Sequence, residues 1–200
     1  MKKVFVVSAV CLFLISCATG KEYVNILRST GVSGEYLQVL EQYTVKKVLY
    51  SQMETRLQID ATYKSRDFQD AYRKEYSRLY ELSSAEIKAR EETQTNVASD
   101  FTEYVFYAYV PEREANDFSS RNSLWKVYLQ DARGEKIYPM EIRKIENVTV
   151  LLEQLYPYIN RYHGIFYSLK FPPEASQSSP SPAKKLVVTG VMGKLELDWH

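Results

Sequence analysis

The chain reads as a mostly β protein, an immunoglobulin-like antiparallel β-sandwich with a helical insertion over about residues 66–95. Three observations lead there. Residues 55–64 alternate at a period of two, with Leu57, Ile59, Ala61 and Tyr63 on one face and Arg56, Gln58, Asp60, Thr62 and Lys64 on the other; a strand buried on one side has this pattern. The period then lengthens to a helical one, and beyond residue 100 six short strand-like segments are separated by turn signals. With 17 Tyr, 8 Phe and 2 Trp in 200 residues, the chain can build one sizeable core, whereas two full domains would be crowded.

Taken in order, Ser33 is placed to cap a short helix in which Tyr36, Leu37, Leu40 and Tyr43 recur at helical spacing. Residues 45–54 read as an upstream extension of the strand at 55–64. After Ser65, the residues Phe68, Tyr72, Tyr76 and Leu79 share one helical face, and Arg73, Lys74 and Glu75 fall on the others, which predicts an amphipathic helix. Ser83-Ser84-Ala85-Glu86 has capping-box spacing, so the helix breaks there and restarts toward Thr95, as a hairpin or a kinked helix. Lys88, Arg90, Glu91 and Glu92 read as a solvated helix face.

The strand-like segments are 104–110, 124–130, 136–145, 164–171, 185–191 and 194–199. Trp125, Val127 and Leu129 share one face of the second, and Ile165, Tyr167, Leu169 and Phe171 one face of the fourth. Gly134, in Asp131-Ala132-Arg133-Gly134, and Gly193 stand where hairpin turns need a positive φ. Val148, Leu151, Leu152 and Leu155 predict a short helix that ends before Pro157 and caps one end of the core. Residues 174–185, rich in Ser and Pro, are expected to form a mobile loop. Leu195, Leu197 and Trp199 are expected to fill a core face, making the last segment an integral strand.

The first residues address location. Met1-Lys2-Lys3 is followed by an uncharged run from Val4 to Ile15, the pattern of a secretory leader and too short for a stable membrane span. The run closes in Leu14-Ile15-Ser16-Cys17, which resembles the lipobox of bacterial lipoproteins. That resemblance implies removal of residues 1–16, lipidation of Cys17 and a lipidated tether over 17–34 ahead of a single domain at 35–200. Several acyl chains on one residue hold a protein firmly to a bilayer. Ala18 stands where an inner-membrane retention signal would carry aspartate, so the resemblance implies an outer-membrane location. The domain layout, with its Trp-bearing strand, Gly turn and aromatic strand ending in Phe171-Pro172, also resembles small envelope lipoproteins, a likeness that names no activity.

Basic and acidic residues nearly balance, 26 against 25, and Lys2 and Lys3 leave with the leader, so no electrostatic case for nucleic acid exists. The two cysteines are Cys11, in the leader, and Cys17, which leaves neither a disulfide nor a thiolate metal site for the fold. Ser123-Leu124-Trp125-Lys126 and Ser181-Pro182-Ala183-Lys184 spell the Ser-x-x-Lys of penicillin-binding enzymes, but its companion elements are missing. Gly31-Val32-Ser33-Gly34 is an incomplete nucleophile elbow, because Glu35 stands where glycine is required. His163 and His200 lack nearby ligand partners, and Asn147-Val148-Thr149 is a glycosylation sequon in letters only.

No catalytic residues, cofactor or metal are therefore assigned. The cluster Tyr156, Tyr158, Tyr162, Phe166 and Tyr167 could pack as core or offer aromatic platforms to a partner, and Tyr156, Tyr158 and Tyr162 are the candidate interaction surface. The leading expectation is a non-enzymatic envelope module, held to the membrane by lipid on Cys17, that binds another envelope protein or has a structural role. A glycan- or peptidoglycan-binding module and a hydrolase whose carboxylates meet only in the fold are the alternatives.

Overall fold

The computed structural model describes residues 31–95, 101–173 and 185–199. The expected leader, Cys17, most of the expected tether, nearly all of the Ser/Pro-rich loop and His200 lie outside the described residues. In chain order the elements are α1 (Gly34–Gln42), β1 (Thr44–Ser51), β2 (Glu54–Tyr63), α2 (Arg66–Leu79), α3 (Ser84–Thr95), β3 (Thr102–Tyr109), a 3-10 turn (Arg113–Ala115), β4 (Trp125–Gln130), β5 (Lys136–Ile137), β6 (Glu141–Lys144), α4 (Val150–Leu155), β7 (Ile165–Phe171), β8 (Lys185–Gly190) and β9 (Gly193–Leu197).

The strands form two antiparallel sheets, ordered β1-β2-β3-β7-β6 and β5-β4-β8-β9. With the edge strand β1 set aside, the four-strand sets have the ABED and C′CFG order of immunoglobulin sandwiches. The helical insertion α2–α3 joins the first two of those strands. Among the described residues, no helix is long and apolar enough to cross a membrane.

The inner faces meet as the alternation predicts. Leu57, Ile59 and Ala61 of the first sheet pack with Trp125, Val127, Leu129, Leu186, Val188 and Leu197 of the second. Trp125 stacks on Phe118, with ring centroids 5.5 Å apart, and its Nε1 donates to the Ala115 carbonyl at 2.7 Å. Trp199 donates from Nε1 to the Tyr43 carbonyl at 2.7 Å, tying the end of the last strand to the beginning of the first. Gly134 and Gly193 take positive φ, 86° and 136°, at the two expected turns.

Five expectations change. Of residues 45–54 only Glu54 lengthens the strand at 55–64; the others form β1 and a turn, and β1 folds back on β2 as a hairpin. The turn residues Gln52 and Met53 both have positive φ (51° and 69°) although neither is glycine or asparagine, so its sequence does not announce it. Segment 136–145 is two strands: β5 pairs with β4 in the second sheet and β6 with β7 in the first, so the chain crosses between sheets at residues 138–140. The helix α4 does not cap the end of the sandwich but lies on the outward face of the first sheet, where Leu155 is fully buried.

The fourth change concerns Glu75, assigned to a polar flank yet only 3% exposed. It accepts hydrogen bonds from the Ser33 N–H and the Ser33 Oγ–H, both at 2.7 Å, and from Arg78. The last is the end of the tether. Val32 is buried, and Gly31 donates its N–H to Gln154 Oε1 at 3.1 Å, so Gly31–Ser33 already belong to the domain.

The molecule thus has three layers. Val105, Tyr107 and Phe166 point outward from the first sheet into a second core with Val32, Tyr36, Leu40, Phe68, Leu155, Tyr156 and Ile159. That second core explains why β3 is an almost unbroken apolar run: both of its faces are covered.

Candidate functional site

The helical layer does not cover the first sheet evenly. Ser65 caps α2, its Oγ accepting from the Phe68 N–H at 3.1 Å, and this sets Phe68 and Tyr72 down on the sheet. The helix ends at Tyr80, and Glu81 takes a positive φ of 49°. The expected capping box restarts the chain as α3: Ser83 Oγ–H and N–H donate to Glu86, and the Glu86 N–H donates back to Ser83 Oγ. Because α3 turns away with its first two turns largely exposed, it leaves a gap beside α2.

That gap is a half-open groove of about 710 Å³. One wall is α2, through Phe68, Tyr72, Arg73 and Tyr76, and Ile87 and Arg90 of α3 lie beside it. Leu152 and Tyr156 close the side of α4. The floor is the outward face of β3, β7 and β6, with Val105, Phe166, Ser168, Lys170 and Arg143, followed by Ile145.

Register makes the floor graded. Phe166 lies opposite Tyr107, and its carbonyl accepts from the Ile145 N–H at 2.8 Å, so this row is apolar. Two residues along, Ser168 lies between Val105 and Arg143; two further, Lys170 lies between Glu103 and Glu141. Polarity therefore rises along the strands from the Tyr156 end to the Lys170 end.

The lining carries five cations, Lys64, Arg73, Arg90, Arg143 and Lys170, against one carboxylate, Glu103. Lys64 is paired with Glu103, Arg73 with Asp70, and Lys170 with Glu141 at 3.4 Å. Arg90 lies over the Tyr76 ring, 4.8 Å from its centroid. Among the described side chains, neither Arg90 nor Arg143 has a carboxylate at ion-pair distance. Burial pushes the Tyr72 and Tyr156 phenols upward, so both rings are neutral near pH 7 and the apolar end carries no charge from them.

The structure separates the three tyrosines expected to form an interaction surface. Tyr156 is 3% exposed, with its ring in the second core and against the groove. Tyr158 is turned inward, its hydroxyl 2.8 Å from Thr62 Oγ1. Tyr162 is 74% exposed, under the guanidinium of Arg161 at 5.6 Å. A continuous platform of these rings does not exist, because the turn after α4 folds the first two against the sheet.

The sequence motifs resolve into local structure. Ser33 caps α1, accepting from the Tyr36 N–H at 3.3 Å while it donates to Glu75. Ser123 donates to Asp117 Oδ1 at 2.9 Å and accepts from the Trp125 N–H, fixing the turn before β4, and Lys126 is exposed on the far face of the second sheet. Ser181 and Lys184 lie outside the described residues, whereas His163 and Asn147 are exposed. Among the described residues, no group of three His, Cys, Asp or Glu side chains could hold a metal ion. A smaller cleft of about 440 Å³ near the β1–β2 turn contains Glu54 and Glu112, both paired with Arg56 at 3.1 and 3.9 Å.

The groove itself was not anticipated. Its residues come from six elements and share no spacing, and the one available signal was the uninterrupted apolar run of β3, which requires cover on its outward face. Comparison with known proteins adds nothing further: no family model matches the chain, nor does any curated protein or solved structure.

Proposed function

We propose that the chain is a lipid-anchored, non-enzymatic module of the bacterial outer membrane, held by an acylated Cys17, which binds an envelope component in the groove of its helical layer. The observation that carries this reading is the groove, concave and within the volume range of about 300–1,000 Å³ typical of ligand sites, with cations set around an aromatic floor. The approach of the tether agrees with it. Gly31–Ser33 are clamped by Glu75 and Arg78 of α2, the helix whose other flank lines the groove, so the first described residues join the layer that holds the groove.

The burial of Tyr156 and the inward bond of Tyr158 favour this groove over an aromatic platform for glycan. The carboxylates of both clefts are engaged by Lys64 or Arg56, which favours binding over a hydrolytic acid pair.

Two measurements test the proposal. Intact-mass analysis of protein from its native host should show loss of residues 1–16 and acylation of Cys17; a retained leader or an unmodified thiol overturns the anchoring. A Ser168→Trp substitution should fill the groove and abolish the contact made by a photocrosslinking residue at position 87, with thermal melting unchanged. An undiminished crosslink overturns the choice of site.

A further inference from the structure

Resting on that reading of the groove, we infer that its occupant is an anionic single-chain amphiphile. The acyl chain lies along the half-buried Tyr72, Tyr76, Ile87 and Leu152, and a phosphate or carboxylate head lies against Arg143 and Lys170.

The grading of the floor is the first argument. Along β7 the outward residues run Phe166, Ser168, Lys170, and their register partners run from Tyr107 through Val105 and Arg143 to Glu103 and Glu141. Along the strand floor, apolar and charged side chains are therefore segregated end to end, and at the charged end Lys170 Nζ lies 5.4 Å from the ring of Phe101. A ligand with a tail and a head matches that segregation. An acidic amphipathic helix does not, because it carries charge along its whole length. A peptide in extended form would also bring backbone N–H and C=O groups that need partners, and the apolar end offers them mainly ring faces.

Charge complementarity is the second argument. Lys170 and Lys64 already have carboxylate partners, but the Arg143 guanidinium has none among the described side chains. It stands one row inside Lys170, where the apolar floor gives way to the charged end. A guanidinium presents paired N–H donors that fit phosphate and carboxylate oxygens, so Arg143 supplies recognition as well as charge. The neutral phenols of Tyr72 and Tyr156 leave the tail end free of competing anions.

The test is native mass spectrometry of the full chain, purified with its lipid anchor from the native host and released from dodecyl maltoside micelles. The probes are palmitoyl lysophosphatidylglycerol, palmitate, palmitoyl lysophosphatidylcholine and glycerol phosphate. A one-to-one adduct is expected with the first two, whose relative affinity separates a phospholipid source from a free fatty acid. Binding about tenfold weaker is expected for the choline lipid, as for loss of one charge-assisted contact, and none for glycerol phosphate.

Arg143→Gln should weaken both lysophospholipids about tenfold, because both carry the phosphodiester that the guanidinium would hold, and Ser168→Trp should remove both. Equal binding of the two lysophospholipids, or adducts that persist in Ser168→Trp, would overturn the inference. So would a groove that takes only an acidic helical peptide. Failure of all lipid probes while the position-87 crosslink captures a protein overturns this inference alone; failure of the crosslink as well overturns the reading beneath it.

Discussion

The two outward faces of the sandwich are built from the same kind of antiparallel strands and end differently. On the second sheet, Lys185, Lys194 and Glu196 pair with one another across β8 and β9, and Lys136 lies over the Tyr128 ring, so that face is finished by its own side chains. On the first sheet Val105, Tyr107 and Phe166 cannot face water, and the helices and Val32 cover them. A face closed by its own charges offers no concavity. A face covered by separate helices can leave a gap, and here the gap is the groove. Stability and recognition are therefore assigned to different layers: the inter-sheet core holds the fold, and the helical layer holds the site.

The largest effect should come from the inter-sheet core. Trp125→Ala removes the stack on Phe118 and the bond to Ala115, and should cost about 3–5 kcal/mol in urea unfolding. A loss below about 1 kcal/mol would show that the sheets do not carry the stability.

Next comes the clamp between Ser33 and α2. Glu75→Ala leaves the part-buried Ser33 N–H without its acceptor and should cost about 1–3 kcal/mol. Hydrogen bonds from Arg78 and Ser33 hold the Glu75 carboxyl down to about 2, from an ordinary 4.5. Because the folded value is the lower one, this stabilisation is full above about pH 4.5 and is lost as the pH falls toward 2. Glu196, also held to about 2 by Lys185 and Lys194, titrates in the same window. The difference between wild type and Glu75→Ala isolates the clamp: it should shrink on acidification, and a difference constant from pH 6 to pH 2.5 would contradict it.

Smaller still are the groove substitutions, in which stability and binding should part company. Arg143→Gln, on an exposed side chain, should shift unfolding by no more than about 0.5 kcal/mol while binding falls about tenfold. A parallel loss of stability would mean that Arg143 is structural. Tyr162→Ala should change neither quantity by more than about 0.5 kcal/mol, since its ring is exposed and far along the turn from the groove lining. A binding defect there would restore the aromatic surface expected from sequence.

Much of the framework was legible before the structure. Alternation at 57–63 and 165–171 identifies the strands and their inner faces, and the helical spacing of Phe68 and Tyr72, the capping box at Ser83 and the glycines at 134 and 193 each report a local rule that holds; the water-facing side expected of 55–64 does not, because Asp60 and Thr62 are buried. What escaped depends on distant partners. Gln52 and Met53 turn a hairpin without the residues that signal one, and Met53 is 99% exposed at its tip. Glu75 looks like a surface charge until Ser33, 42 residues away, supplies its hydrogen bonds. Tyr156 and Tyr158 look like a platform until α4 lies flat on the sheet. The groove is the extreme case, since register between β3, β7 and β6 alone brings Arg143, Ser168 and Val105 into one row.

The contrast between the faces is tested most directly by placing one photocrosslinking residue at Ile87, on the groove wall, and another at Lys126, on the far face of the second sheet, in cells of the native host. Adducts recovered at Ile87 and none at Lys126 are the expected result. Adducts at Lys126 with Ile87 silent would contradict the assignment of recognition to the helical layer.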